Sequence, residues 1–170
     1  MVVKYYIKDV VYGANDGIVT TFAVVAGVIG GGLSTRAVLI VGLASLFADG
    51  LSMAASNYLA SRSERAVLDN DDGDGPTGVP TVPWISATST LAAFVLAGAV
   101  PLVPYTLLGG DGRTLLWTAV ATLGVLFVVG AARSVVTKRP VARAGLEMTL
   151  IGGASAAVAY IVGSLVSARL

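Results

Sequence analysis

The sequence predicts an all-α integral membrane protein with five transmembrane helices, and three observations carry that expectation. Charged residues make up only 12% of the chain and hydrophobic residues reach 55%, against about 25% charged in ordinary soluble domains. The mean hydropathy of +0.83 is too high for a chain of 170 residues to cover itself with polar surface in water. Five separate stretches also reach the length of about 20 apolar residues needed to cross the hydrocarbon core as a helix.

Those stretches are roughly 10–32, 37–60, 85–108, 114–136 and 145–167, in one membrane domain covering 1–170. Gly30, Gly31 and Gly32 with Ser34 mark the first turn. Gly109, Gly110, Asp111 and Gly112 mark the third, and Lys138, Arg139 and Pro140 the fourth. The only long polar segment, DNDDGDGPTGVPTVP at 69–83, lies in an acidic loop spanning 63–84 and reads as flexible chain. Pro101 and Pro104 are expected to loosen the last turns of span three, because proline lacks the N–H that an α-helix needs. Asn15 and Asp16 interrupt the first apolar run, which argues against a cleavable signal peptide. No internal repeat is evident.

The basic residues orient the spans. Lys4, Lys8, Arg62, Arg65, Arg133, Lys138, Arg139 and Arg143 fall on one side, and only Arg36, Arg113 and Arg169 on the other. The side rich in Lys and Arg is the cytoplasmic one, so the N-terminus is expected in the cytoplasm. With neither Cys nor His, thiolate and imidazole metal sites are excluded. A net charge of +1 gives no basic field for nucleic acid.

Ionisable groups at membrane depth are costly and therefore informative. Asp16, Asp49 and Glu147 are the three that stand out. On span two, Ser45, Asp49, Met53 and Asn57 recur every four residues, and on span one Tyr12, Asp16 and Thr20 do the same. Each set forms a narrow polar stripe on an otherwise apolar helix. Such stripes are expected to face each other, a subunit interface or a water-filled path. At about 1.5 Å per residue, Asp16 and Met53 both fall about 7 Å to the cytoplasmic side of the midplane, with Asp49 near the centre. A carboxylate and a thioether at matching depth are candidates to share one ion.

Carboxylates suit hard divalent cations and a thioether is softer, so the donor set leans toward Fe²⁺, Mn²⁺ or Co²⁺. Without Cys or His the site would be weak and exchangeable, and protons would compete for the same oxygens. Bland alternatives stand beside each residue. Intramembrane Asp can serve helix packing through hydrogen bonds, Met usually packs, and Asn57, Ser45, Ser52 and Ser56 commonly join helices. Glu147, one turn after Arg143, reads first as a salt-bridged or snorkelling side chain and second as a relay group. Gly13, Gly17, Gly27 and Gly31 suit close helix contact. An EF-hand beginning at Asn70 fails, since Thr81 stands where a bidentate Glu is required and Pro76 and Pro80 oppose an exiting helix.

The segments DVVYGANDGIVTTFAVVAGVIGG (9–31) and GLASLFADGLSMAASNYLASRSE (42–64) resemble the first two helices of the vacuolar iron transporter family. FVLAGAVPLVPY (94–105) and LIGGASAAVAYIVG (150–163) resemble its third and fifth. The resemblance implies a five-helix protomer with a cytoplasmic N-terminus. It also implies a homodimer whose ion path lies between protomers, and export of Fe²⁺, often with Mn²⁺, in exchange for protons. The family's D-G aspartate matches Asp16 and its S-M methionine matches Met53. A further acidic position of plant members is Ser45 here, and Asp49 is the group expected to take over its charge. Asn57 and Glu64 are expected at the cytoplasmic entrance. Longer relatives carry a metal-collecting helical extension between helices two and three; residues 61–84 hold Glu64 as the sole glutamate and no methionine, so that domain is expected to be absent.

The reading is thus a dimeric transporter, not an enzyme, with metal as cargo and no resident cofactor. Asp16, Met53 and Asp49 are its ligands, and Thr20, Ser45, Asn57, Glu64 and Glu147 line the pathway or relay protons. Alternatives are transport of Ni²⁺ or Co²⁺, or a scaffold whose polar stripes only hold helices together. Composition favours a prokaryotic plasma membrane over a vacuole.

Overall fold

The computed structural model describes residues 3–70, 82–109, 113–137 and 140–169. Among them every element is helical: α1 (Val3–Gly30), α2 (Thr35–Asn70), α3 (Pro83–Gly98), a 3₁₀ turn (Val100–Leu102), α4 (Val103–Leu108), α5 (Thr114–Thr137) and α6 (Val141–Ser167). Five segments are long and apolar enough to cross a membrane: Tyr6–Gly30, Thr35–Val67, Pro83–Leu108, Thr114–Ser134 and Val141–Ser167. The five-span all-α expectation holds.

The breaks follow local chemistry. Gly32, at φ 70°, ends α1: its N–H donates to the Ile29 carbonyl and that of Leu33 to the Val28 carbonyl, which occupies carbonyls the helix would otherwise leave open. Span three is interrupted where Pro101 and Pro104 fall, by the 3₁₀ turn and the short α4. Gly109, at φ 69°, closes α4 in the left-handed conformation.

Two boundaries differ from expectation. α1 starts at Val3, and α2 runs ten residues beyond 60 to Asn70. Ser61 to Asn70 contain neither Gly nor Pro, so nothing stops the helix, and the first part of the expected 63–84 loop is helical instead. The remainder of that loop, with the rejected EF-hand positions after Asn70, lies outside the described residues, as do Gly110 to Gly112 and the pair Lys138 and Arg139.

α1 is the hub. It packs against α3 and α2 on one side and against α6 and α5 on the other, and among the described residues α2 does not meet α6. Where lipid replaces water, helices associate through close packing rather than hydrophobic burial. Glycine supplies that closeness. A Cβ at Gly13 would stand 2.6 Å from the Thr90 carbonyl oxygen, and one at Gly17 would collide with that of Phe94. On the other side Gly30 meets Tyr160, and Gly163 meets Gly27, in the same way. Val25, Val38, Leu46, Phe94, Leu102 and Tyr105 knit α1 to α4 into one buried cluster, and Ile18, Leu126 and Met148 join α1 to α5 and α6.

Exposed Trp84, tilted against Tyr58 with ring centroids 4.7 Å apart, and exposed Trp117 stand near the starts of spans three and four, at opposite ends of the bundle, as aromatic rings do at membrane surfaces. With Tyr58 at that level, the last turns of α2 project beyond the bilayer and carry Glu64 with them.

Candidate ion path

Near the end of the bundle that carries the N-terminus, α1, α2 and α3 enclose an open groove of about 460 Å³. Asp9 and Tyr12 of α1, Met53, Ser56 and Asn57 of α2, and Thr90 of α3 line it. Two cross-helix ties hold its walls. The Ser86 hydroxyl donates to Asp9 Oδ2 at 2.5 Å, and Asn57 Nδ2 donates to Thr90 Oγ1 at 2.6 Å and to the Ser86 carbonyl at 3.4 Å. Tyr6 adds a third, its hydroxyl accepting the Val82 N–H at 2.9 Å just before α3 begins. The start of α3 is thereby pinned to α1, and the α1–α3 spacing is set by side chains as well as by Gly13 and Gly17.

Further into the bundle the polar stripes continue without such ties. Asp16 and Asp49 are exposed on the surface of the protomer, and Thr20, Ser45 and Met53 are half-buried. Among the described residues neither Asp16 nor Asp49 takes part in any hydrogen bond or ion pair, yet each carboxylate lies within electrostatic reach of the other. Measured on the helices as they are, Asp16, Asp49 and Met53 all fall within one turn of the midpoints of Tyr6–Gly30 and Thr35–Val67. The end of Thr35–Val67 projects past Tyr58, however. At about 1.5 Å per residue Asp49 therefore lies about 13.5 Å inside the surface marked by Tyr58 and stays near mid-depth, whereas Met53, about 7.5 Å inside it, keeps the shallower position that the sequence-based boundaries give it.

The expected site residues separate into three groups. Asp16, Asp49 and Met53 come together on the α1–α2 side, Met53 packing its inner edge against the first core cluster. Asn57 is at the groove but already engaged by α3, which is the helix-joining role weighed for it. Glu64 is exposed on the projecting end of α2. Glu147 is exposed on α6, a helix that touches α1 and α5 but not α2, so it is not brought to the groove.

Sequence reasoning missed Asp9. Its side chain is only 5% exposed, and it precedes Asp16 by two helical turns, the spacing that places both on one helix face. That interval was the signal; the neighbouring Lys8, and a span boundary drawn at residue 10, hid it. Asn15 was missed too, and its buried Oδ1 has no partner. No group of three or more Asp or Glu side chains capable of holding a metal ion forms within one protomer among the described residues. One copy therefore offers two unpaired carboxylates and a thioether, which is less than a full coordination shell.

Five membrane-spanning segments with unpaired carboxylates at mid-depth define a polytopic helical membrane protein that keeps charge within its spans. The chain belongs to the VIT family, whose model matches residues 7–74 and 71–164. It is similar to a vacuolar iron transporter of Toxoplasma gondii, 50% identical over 60 residues, which cover 35% of this chain and 20% of that protein. It is similar along nearly its whole length to vacuolar iron transporter 1 of Arabidopsis thaliana, 24% identical over 214 residues, covering 94% of this chain and 86% of the relative. With vacuolar iron transporter homolog 1 of Oryza sativa subsp. japonica it shares 31% identity over 171 residues, covering 91% and 71% respectively. These relatives bear "vacuolar" in their names, and the prokaryotic plasma membrane expected from composition gains no support from them.

Proposed function

We propose that the protein carries a divalent metal ion across its membrane, Fe²⁺ foremost and Mn²⁺ beside it, out of the cytosol and in exchange for protons. The observation that carries this reading is the pair Asp16 and Asp49, held at mid-depth on the protomer surface with no donor among the described residues. A carboxylate facing acyl chains is strongly disfavoured, so that face needs a cover and those oxygens need a cation.

A second copy of the chain supplies the cover. α2 exposes Ala44, Ala48, Ser52, Ala55 and Ser56 beside Asp49, and small side chains let helices meet closely in lipid. A twofold arrangement brings four carboxylates and two Met53 thioethers to one axis. That is a sufficient oxygen-rich shell for Fe²⁺ or Mn²⁺, softened by sulfur. Thr20 and Ser45 extend the path along the same stripes. Asp9, Asn57 and the exposed Glu64 lead to it from the cytosolic mouth, while Glu147, on α6, lies off this path. Protons that replace the metal on Asp16 and Asp49 neutralise the same oxygens, which couples the two fluxes.

The family match and the relatives' names support iron as cargo. The scaffold alternative asks the buried polar groups to hold helices together; Asn57 and Asp9 do so, whereas Asp16 and Asp49 hold nothing. The test is Fe²⁺ flux into proteoliposomes together with internal pH. Wild type is expected to move Fe²⁺ with an opposing proton signal, and Asp16→Asn to reduce flux to background. Undiminished flux in that variant removes Asp16 from the path, and flux without a pH response removes proton exchange. Excess Ni²⁺ or Co²⁺ that outcompetes Fe²⁺ would reassign the cargo.

A further inference from the structure

A second cavity adjoins the groove at the same end of α1 and shares Lys8 and Tyr12 with it. It encloses about 370 Å³ between α1, α5 and α6. Lys8 of α1 and Arg133 of α5 both line it, with Asn15, Val11, Val129 and Met148. Two cationic side chains from separate helices thus converge on a pocket whose walls are otherwise mainly apolar. Asn15 also lines the cavity, although its Oδ1 is buried and has no partner among the described residues. Glu147 adjoins Met148 in sequence but is not among the lining residues. A guanidinium has five N–H donors, so Arg133 can engage a protein group and a ligand together.

The position of this pocket is as informative as its charge. Lys8 adjoins Asp9, which is tied to Ser86 in the first turn of α3, close to exposed Trp84. The cavity therefore opens at headgroup level, with its apolar walls directed toward the acyl region. Basic pockets between membrane helices at this level suit lipid phosphates, and two positive charges above an apolar wall match an anion attached to hydrocarbon chains.

We propose that this cavity binds an anionic phospholipid of the surrounding bilayer, its phosphate on Lys8 and Arg133 and its acyl chains along the apolar wall of Val11, Val129 and Met148. Phosphatidylglycerol has both the anionic phosphate and the acyl chains that this lining suits. Lys8 also lines the groove that holds Asp9 and Met53, so a bound lipid phosphate draws that ammonium away from the entrance to the ion path and lessens its repulsion of an incoming cation. The lipid site itself does not depend on the metal reading.

Its test is lipid retention, which reads binding without reference to transport. Delipidated protein in detergent is titrated with phosphatidylglycerol or phosphatidylcholine, and the lipids kept per chain are counted by native mass spectrometry. Phosphatidylglycerol is expected to bind in preference, and Lys8→Gln and Arg133→Gln each to weaken it about fivefold. Arg36→Gln, at the opposite end of the bundle, is expected to leave it unchanged. In the unaltered protein, raising salt from about 0.05 to about 0.5 M is expected to strip phosphatidylglycerol selectively, which keeps the test decisive if a variant fails to fold. Equal retention of the two lipids, full retention in both Gln variants, or salt-insensitive binding would overturn the proposal. Displacement of the lipid by millimolar glycerol 3-phosphate would make it a site for soluble anions and overturn it equally.

Discussion

Where α1 meets α3 on one flank and α6 on the other, Gly13, Gly17 and Gly30 bring backbone against backbone, and the polar groups Asp9 and Tyr6 are tied to Ser86 of α3 and to Val82 just before it. On the outward surface that α1 shares with α2, Tyr12 and Asp16 of α1 and Asp49 of α2 stand exposed, and among the described residues neither carboxylate has a donor. The same helix therefore carries one surface finished within the protomer and one left unfinished. Unsatisfied charge in a membrane span has no water to fall back on, so the unfinished surface is where a second copy and a cation belong.

Substitutions on the two surfaces ought to behave differently. The largest expected effect is on transport: Asp16→Asn should lower Fe²⁺ flux on the order of 100-fold or more while leaving the melting temperature of the solubilised protein unchanged. A large fall in stability instead would mean that Asp16 belongs to the finished surface. Next is Gly17→Leu, whose side chain meets the Phe94 backbone; it should destabilise by about 1–3 kcal/mol, read as loss of folded protein on heating in detergent. Asp9→Asn comes third, because it weakens a charge-assisted hydrogen bond to Ser86; about 1–2 kcal/mol of stability is at stake, with a partial loss of flux. Asn57→Ala should cost about 1 kcal/mol by freeing Thr90 and Ser86 and should barely affect metal affinity. The smallest effect is expected at Glu147, away from α2: Glu147→Gln should change Fe²⁺ flux by about twofold or less.

Much of this arrangement is legible in the amino-acid sequence. The spans declare themselves because lipid demands long uninterrupted apolar helices, and Pro101 and Pro104 locate the break in span three because a missing N–H cannot be compensated within the helix. Asp16, Asp49 and Met53 were found through their four-residue spacing. Helix partners were harder to read. That α6 packs on α1 and never reaches α2 follows from three-dimensional fits such as Gly163 against Gly27, and no periodicity reports it; Glu147 was therefore grouped with residues it does not approach. Asp9 was hidden because a charge near a span end looks like an interfacial anchor until its partner, Ser86, is seen 77 positions away in sequence. The end of α2 was misplaced because hydrophobicity marks where a helix leaves lipid, not where it stops being a helix.

The most direct measurement is an anomalous-scattering map at the iron edge from crystals of the protein soaked in Fe²⁺ without oxygen. A peak is expected between α1 and α2, within roughly 2–2.6 Å of carboxylate oxygens of Asp16 and Asp49 and next to the Met53 sulfur. A protein that moves iron yet shows its only peak elsewhere, with both carboxylates hydrogen-bonded to a neighbouring helix, would contradict the assignment.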